Sequence, residues 1–456
     1  MSSCFETYEK PVITKLQSTL MNKFACGGAA SQRVRTEIDG VAVEELTSKY
    51  GSPLFVFSEQ ALRRKANQIK TAFATRYPNV TCGWSYKTNY LKAICAILHQ
   101  EGSIAEVVSE MEYEKARNMG VPGDQIILNG PQKPMSLLRQ AMSESAIVNI
   151  DHLDEVSDLE EVADGLGRKL PVGIRLNLDA GIYPQWSRFG FNVESGQALG
   201  AVRRIHESGK LRIRGLHCHI GTFILDPSAY ARQIEKMVAF AQEIEKRYGF
   251  KIEYLDIGGG LPSRSKLKGT YQSPDVGIPT VDEYAEAICN ALHESLEPGE
   301  YPQLILESGR AVVDESGYLI SSVLASKYLP DGTRTYVMDS GANVLFTSFW
   351  YKYHIELDRE NNGAEETSVL YGSLCMNIDV VDEGVELPPL DRGDRLIFSP
   401  VGAYNTTQWM QFIHYRPAVV LIGQNGEVDV IRAAEDLSDI ERRERLPQRL
   451  VDIRPK

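Results

Sequence analysis

The chain has 456 residues, more than one ordinary compact core organises, so two domains are expected. Its formal net charge of −12 would repel a phosphate backbone, which excludes nucleic acid as an expected partner. Hydrophobic residues at 43% supply ample core, and no apolar run reaches the length of a membrane span, so neither a disordered nor a membrane-spanning class fits.

Residues 1–32 read as an N-terminal extension. Val12, Ile13, Leu16, Leu20 and Phe24 suggest a docking helix, with a partly ordered tail as the alternative, and no basic segment precedes an apolar stretch as a secretory signal requires. Residues 33–57 begin β-like and are expected to join a β domain. From 58 to 310, eight short apolar runs alternate with helical patterns. The runs are "TCGWSY" (81–86), "SIAEVV" (103–108), "QIILN" (125–129), "AIVNI" (146–150), "PVGIRLN" (171–177), "RIRGLHCHI" (212–220), "IEYLDIG" (252–258) and "PQLILE" (302–307). Each is continuous enough for a strand buried on both faces. Between them, "DPSAYARQIEKMVAFAQEIEKRYG" (226–249) carries Ile234, Met237, Val238, Phe240, Ala241 and Ile244 at helical spacing. Eight such units predict a (β/α)8 barrel, with an open doubly wound sheet as the competitor.

After residue 310 the texture changes. "GYLISSVLASKYL", "TRTYVMDSG", "SVLYGSL", "DRLIFSPVGAY", "PAVVLIG" and "EVDVIRAAE" predict a mostly antiparallel β domain over 311–456. The seven cysteines (Cys4, Cys26, Cys82, Cys95, Cys218, Cys289, Cys375) are scattered, odd in number and form no C-x-x-C pair. That pattern suits reduced thiols in a cytoplasm rather than disulfides or structural zinc.

A barrel gathers its active site at the C-terminal strand ends. There the sequence places Lys87, then Ser109 and Glu112, Asn129 and Gly130, Asp151 and His152, Arg175, "HCHIGT" (217–222), "GGG" (258–260) and "ESGR" (307–310). Each alone has an ordinary reading: a rim lysine, a packed histidine, a turn, an ion-paired carboxylate. The two histidines of "HCH" share a strand face, a metal-ligand spacing, so a metal-dependent hydrolase is a rival. Together, however, a lysine able to form an imine, a glycine nest with an arginine for phosphate, a flat imidazole and a carboxylate meet the needs of pyridoxal phosphate (PLP). No metal is assigned.

These residues sit in motifs that resemble the fold-type III PLP enzymes, specifically the diaminopimelate/ornithine/arginine decarboxylase group. The carriers are "SYKTN" (85–89), "AEVVSEMEYEKARNMG" (105–120), "ILNGPQK" (127–133), "SRFGF" (187–191), "GLHCHIGT" (215–222), "DIGGGLP" (256–262), "ESGR", "GSLCMNID" (372–379) and "GAYN" (402–405). The resemblance spans about residues 35–430. It implies an alanine-racemase-like barrel binding PLP plus a C-terminal β domain, and a head-to-tail homodimer with shared active sites acting on a small-molecule amino-acid substrate.

By that resemblance Lys87 carries PLP as an imine, His219 stacks on its ring and Glu307 pairs with the pyridine nitrogen. Thr222, Gly258, Gly259, Gly260, Gly309, Arg310 and Tyr404 would hold the phosphate, and Arg175 would lie near the ring oxygen or the imine. Cys375 resembles a cysteine lent across the dimer, which takes part in protonation after CO2 leaves.

Two positions depart from the family. Diaminopimelate decarboxylases follow that cysteine with a glutamate for the distal amine, and Met376 stands here. In "DSGANVLFTSFWYKYH" (339–354) a substrate-carboxylate arginine falls on Thr347, while the tyrosine after it is Tyr351. With the basic loop "SRSKLKG" (263–269), these departures predict a non-standard or conjugated amino acid as substrate. The alternatives are meso-diaminopimelate decarboxylation and a racemase on the same scaffold. A binder that has lost its cofactor fits less well, since Lys87, His219, Glu307, Arg310 and Tyr404 are all present.

Overall fold

The computed structural model describes residues 33–451 and 453. The docking helix anticipated in residues 1–32 lies outside the described residues. All eight apolar runs form parallel strands: β1 (Val80–Ser85), β2 (Ile104–Val107), β3 (Ile126–Leu128), β4 (Ile147–Ile150), β5 (Leu170–Asn177), β6 (Leu211–Cys218), β7 (Tyr254–Asp256) and β8 (Gln303–Ser308). They pair in that order, and β8 closes on β1 with Leu306 beside Cys82 and Glu307 beside Gly83. The closed barrel, and not the open sheet, is the fold.

Apolar residues on the outer face of these strands meet helices with matching stripes. Helix Pro227–Tyr248 begins at Asp226, whose carboxylate caps the Ser228 N–H, and ends at Gly249 in the left-handed conformation. It buries Ile234, Met237, Val238, Phe240 and Ile244. Two glycines make room inside the barrel. A Cβ on Gly215 would lie 2.1 Å from the Tyr254 ring, and one on Gly173 would lie 1.9 Å from Asn149 Oδ1. Tyr254 can therefore cross the interior and donate to Asn149 Oδ1 at 2.9 Å.

A second sheet runs in the order Val380–Leu387, Glu366–Tyr371, Arg334–Met338, Gly317–Tyr328, Leu54–Ser58, Val419–Ile422, Val428–Arg432, with Arg395–Ser399 beside Gly317–Tyr328 and His354–Leu357 beyond it. Its pairings are antiparallel except Arg334–Met338 with Glu366–Tyr371 and Leu54–Ser58 with Val419–Ile422. Leu54–Ser58 enters this sheet from ahead of the barrel and leads into helix Glu59–Ala74, which Ser58 caps. The strand Gly317–Tyr328 follows β8 after the short helix Arg310–Val313 and the turn Asp314–Ser316, so the second sheet sits beside the mouth of the barrel.

No helix among the described residues is long and apolar enough to cross a membrane. The five described cysteines are all free thiols.

Candidate active site

Lys87 lies in the single turn that leaves β1, one residue after the buried Tyr86. Its Nζ donates to Glu106 Oε2 at 2.8 Å. Burial works against its charge, but Glu106, Glu307 and Tyr404 outweigh it and raise its pKa. The lysine, its side chain partly open to solvent, is thus paired in the free protein.

Glu106 and Glu307 are bridged by Asn129, whose Nδ2 donates to Glu106 Oε1 at 3.0 Å and to Glu307 Oε1. Behind it, Asn149 Nδ2 donates to Asn129 Oδ1 at 2.9 Å, and Tyr254 donates to Asn149. This relay from β7 through β4 and β3 fixes every amide orientation, so one Glu307 oxygen is always an acceptor. His217 Nε2 lies 3.4 Å from Glu307 Oε2. Burial opposes the charge of Glu307, but His217, Lys87 and His219 outweigh it, and the carboxyl is held well below the usual range. Burial, and next the neighbouring Glu307, push the Asp256 pKa well up.

His217, Asp256 and Glu307 could also hold a metal ion by their mutual spacing. The two histidines of "HCH" divide, however. His217 points into this acid cluster, and His219 follows the strand end. His219 Nδ1 accepts the Gly259 N–H at 3.0 Å, and burial, Lys87 and Arg175 push its pKa down to about 3. A neutral, flat ring results, with Trp186 standing edge-on at 5.0 Å. His152 joins neither; it caps helix Leu153–Leu166 by accepting the Glu155 N–H. Ser109 and Glu112 likewise start helix Glu110–Asn118, Ser109 accepting the Glu112 N–H and Glu112 the Val108 N–H.

Gly258 and Gly260 have φ of +68° and +101°, and a Cβ on Gly259 would lie 2.4 Å from Glu307 O. Glycine is needed there to turn the chain tightly against β6 and β8. Gly309 faces Thr88, whose hydroxyl a Cβ would meet at 2.6 Å, and the buried hydroxyls of Thr88 and Ser308 have no protein partner. Arg310 is buried with its guanidinium 4.3 Å from the Tyr351 ring and 5.3 Å from the Tyr404 ring. Tyr404 adopts φ +64°, and its N–H is held by Thr88 O at 2.8 Å. A buried cation, unpartnered hydroxyls and a glycine turn fit a phosphate, and Lys87 with the acid cluster fits the ring end of PLP. Arg175 is buried between Asp151, at 3.6 Å, and the Phe189 ring, at 4.5 Å. Thr222 is exposed on the turn after His219.

The predicted substrate residues separate. Tyr351 is buried against Arg310 and Phe223. Thr347 is turned inward, its hydroxyl bonded to Tyr353 and Asn405, so it offers nothing to a ligand. Cys375 is exposed and Met376 half-buried on a turn that Asp379 ties down by accepting the Ala342 and Leu374 N–H groups. The basic loop is fastened across the same region: Lys266–Leu267 pairs with Tyr351–Lys352, and Arg264 pairs with Asp275.

Comparison with known proteins agrees with this reading. Residues 59–314 match the family model described as pyridoxal-dependent decarboxylase, pyridoxal binding domain, and residues 310–402 match its C-terminal sheet domain. Diaminopimelate decarboxylase of Methanocaldococcus jannaschii is 31% identical over 91% of this chain and 96% of that one. The Bacillus subtilis enzyme of the same name is 28% identical over 90% and 95%. The solved M. jannaschii structure superposes with a TM-score of 0.84 at 30% identity, covering 92% of this chain and 99% of that one. Lysine/ornithine decarboxylase of Vibrio vulnificus, solved with putrescine, gives 0.72 at 25% identity over 84% and 98%. These matches replace the hydrolase and racemase alternatives. The chain belongs to the pyridoxal-dependent decarboxylase family and is a PLP-dependent amino-acid decarboxylase.

Proposed function

We propose that this decarboxylase acts on meso-diaminopimelate, releasing CO2 from one α-carbon. The observation that carries the reading is the likeness of nearly the whole chain to enzymes named for that substrate, at 31% identity over 91% of the chain. That likeness reverses the order expected from the sequence alone, where a non-standard or conjugated amino acid came first.

Lys87 would tether the cofactor covalently, and its Nζ, seated against Glu106, would hold a proton whenever the amine is free. Glu307, kept ionised and oriented by Asn129, holds the proton of the pyridine nitrogen. Bound there, PLP supplies the electron sink for the pair left when the bond from α-carbon to carboxylate breaks. His219, neutral and backed by Trp186, gives the ring a flat face without adding charge. Arg310, Tyr404, Gly309 and the glycine turn receive the phosphate, with Thr222 at the rim, and Arg175 serves the ring oxygen or the imine. Cys375, exposed in the single chain, reaches a second chain's site in a head-to-tail homodimer and delivers the proton to the α-carbon. The free thiols suit a cytoplasmic setting.

A modified or conjugated amino acid is the second reading, and Met376 with the inward Thr347 favours it. CO2 release from meso-diaminopimelate, lysine, ornithine, arginine and acylated amino acids, measured side by side, separates the two. Turnover of meso-diaminopimelate at least tenfold above every other substrate supports the first. Turnover of a conjugate with none of meso-diaminopimelate selects the second.

A further inference from the structure

Asp314 sets a carboxylate directly behind the arginine that receives the phosphate, where its charge opposes an anionic ligand. It is 1% exposed, and the site as described has no use for it. Its Oδ2 accepts Arg310 Nη1 at 2.6 Å, Ser265 Oγ at 2.7 Å and Ser263 Oγ at 2.5 Å. Its Oδ1 accepts the Ala403 N–H at 3.1 Å, and its backbone carbonyl accepts the Gly402 N–H at 3.0 Å. Gly402 has to be glycine for that approach, since a Cβ would lie 2.0 Å from Val313 O.

Those partners come from three separate stretches of chain. Ser263 and Ser265, each 3% exposed, follow the glycine turn 258–260. Arg310 opens the short helix after β8. Ala403 precedes Tyr404, whose N–H is held by the residue after Lys87. A carboxylate that accepts four hydrogen bonds from these donors joins the glycine turn, the arginine and the tyrosine into one unit.

We propose that Asp314 is a positioning residue that assembles the phosphate site before the cofactor arrives. The inference rests on the assignment of Arg310, Tyr404 and the glycine turn to the PLP phosphate. Asp314 removes the ordering of three segments from the cost of binding, and this outweighs its repulsion of the anion. The serines extend the hold to the loop at 263–265, and the sheet domain is fixed to the barrel at the same point.

The test compares wild type and Asp314→Asn, which keeps the shape and removes the charge. Two quantities are read: the dissociation constant for PLP, from the absorbance of the bound cofactor, and amide hydrogen exchange over 258–268 and 401–406 in the cofactor-free protein. The expected result is PLP binding at least tenfold weaker, with exchange faster in those two segments and unchanged in β2–β4. PLP affinity within twofold of wild type, or exchange raised evenly over the whole chain, overturns the proposal. If Asp314→Asn does not fold, the double variant Ser263→Ala/Ser265→Ala keeps the Arg310 pair. It is expected to weaken PLP at least threefold with the same local loss of protection, and unchanged affinity overturns the proposal. A wild type that takes up no PLP overturns the phosphate-site assignment itself, which is a different result from equal binding by wild type and variant.

Discussion

Asn129→Asp changes one group and almost no volume, yet it reverses the hydrogen bonding at the centre of the barrel. The wild-type amide donates to both Glu106 and Glu307 and is 2% exposed. An ionised aspartate there would face two carboxylates at contact distance, so it takes up a proton instead. Holding an Asp protonated at neutral pH against an ordinary value near 3.9 costs about 4 kcal/mol. A protonated carboxyl has one O–H and serves only one glutamate, so the other loses a charge-assisted hydrogen bond of about 1.5–3 kcal/mol. The combined loss is comparable with the ~5–15 kcal/mol that holds a domain folded. The sign follows from a raised folded-state pKa. The proton penalty is absent below the unfolded value and grows as pH rises toward the folded one. Urea unfolding at pH 5 and 7 therefore gives a destabilisation about 3 kcal/mol smaller at pH 5. A variant within ~1 kcal/mol of wild type at pH 7, or a deficit that does not shrink on acidification, refutes the bridging role.

Glu112 carries a second pH signature. Burial foremost, helped by Glu106 and opposed by the Val108 N–H, pushes its pKa up to about 7. A carboxyl raised in the folded state gives its full stability below the unfolded value and loses it as pH climbs to about 7. Glu112→Gln should gain stability relative to wild type by a few kcal/mol between pH 4.5 and 8, measured by urea unfolding at both. A flat difference across that range contradicts it. Cys375→Ala should lower turnover and shift the products toward those of misplaced protonation, read by chromatography of the amine and carbonyl products. Unchanged turnover and products would rule the thiol out.

The barrel was legible because its strands are buried on both faces and its helices on one. Eight apolar runs of strand length separated by 3.6-period segments leave few other folds. The roles at strand ends were harder to read. Ser109, Glu112 and His152 occupy ends where chemistry is expected, yet they start helices, because the same position must also satisfy the first free N–H groups. Polarity inside the runs marks the internal network. Glu106 in "SIAEVV", Asn149 in "AIVNI" and Asp256 in "YLDIG" are polar side chains in strands with no solvent face, which requires internal partners. Tyr254 gave no such sign, since its path across the barrel depends on Gly173 and Gly215 on other strands. Thr347 could be aligned to a substrate arginine by sequence, but its inward turn depends on Tyr353 and Asn405. Asp314 was hidden for a related reason: its donors lie 4, 49, 51 and 89 positions away.

The central claim is that Lys87, and no other lysine, holds the cofactor. Borohydride reduction of the PLP-loaded protein, followed by protease digestion and mass spectrometry, tests it directly. A single pyridoxyl-modified peptide carrying Lys87 is expected, absent from Lys87→Ala treated in the same way. Modification at Lys133 or Lys115 in place of Lys87, or an unchanged yield of adduct from Lys87→Ala, would contradict it.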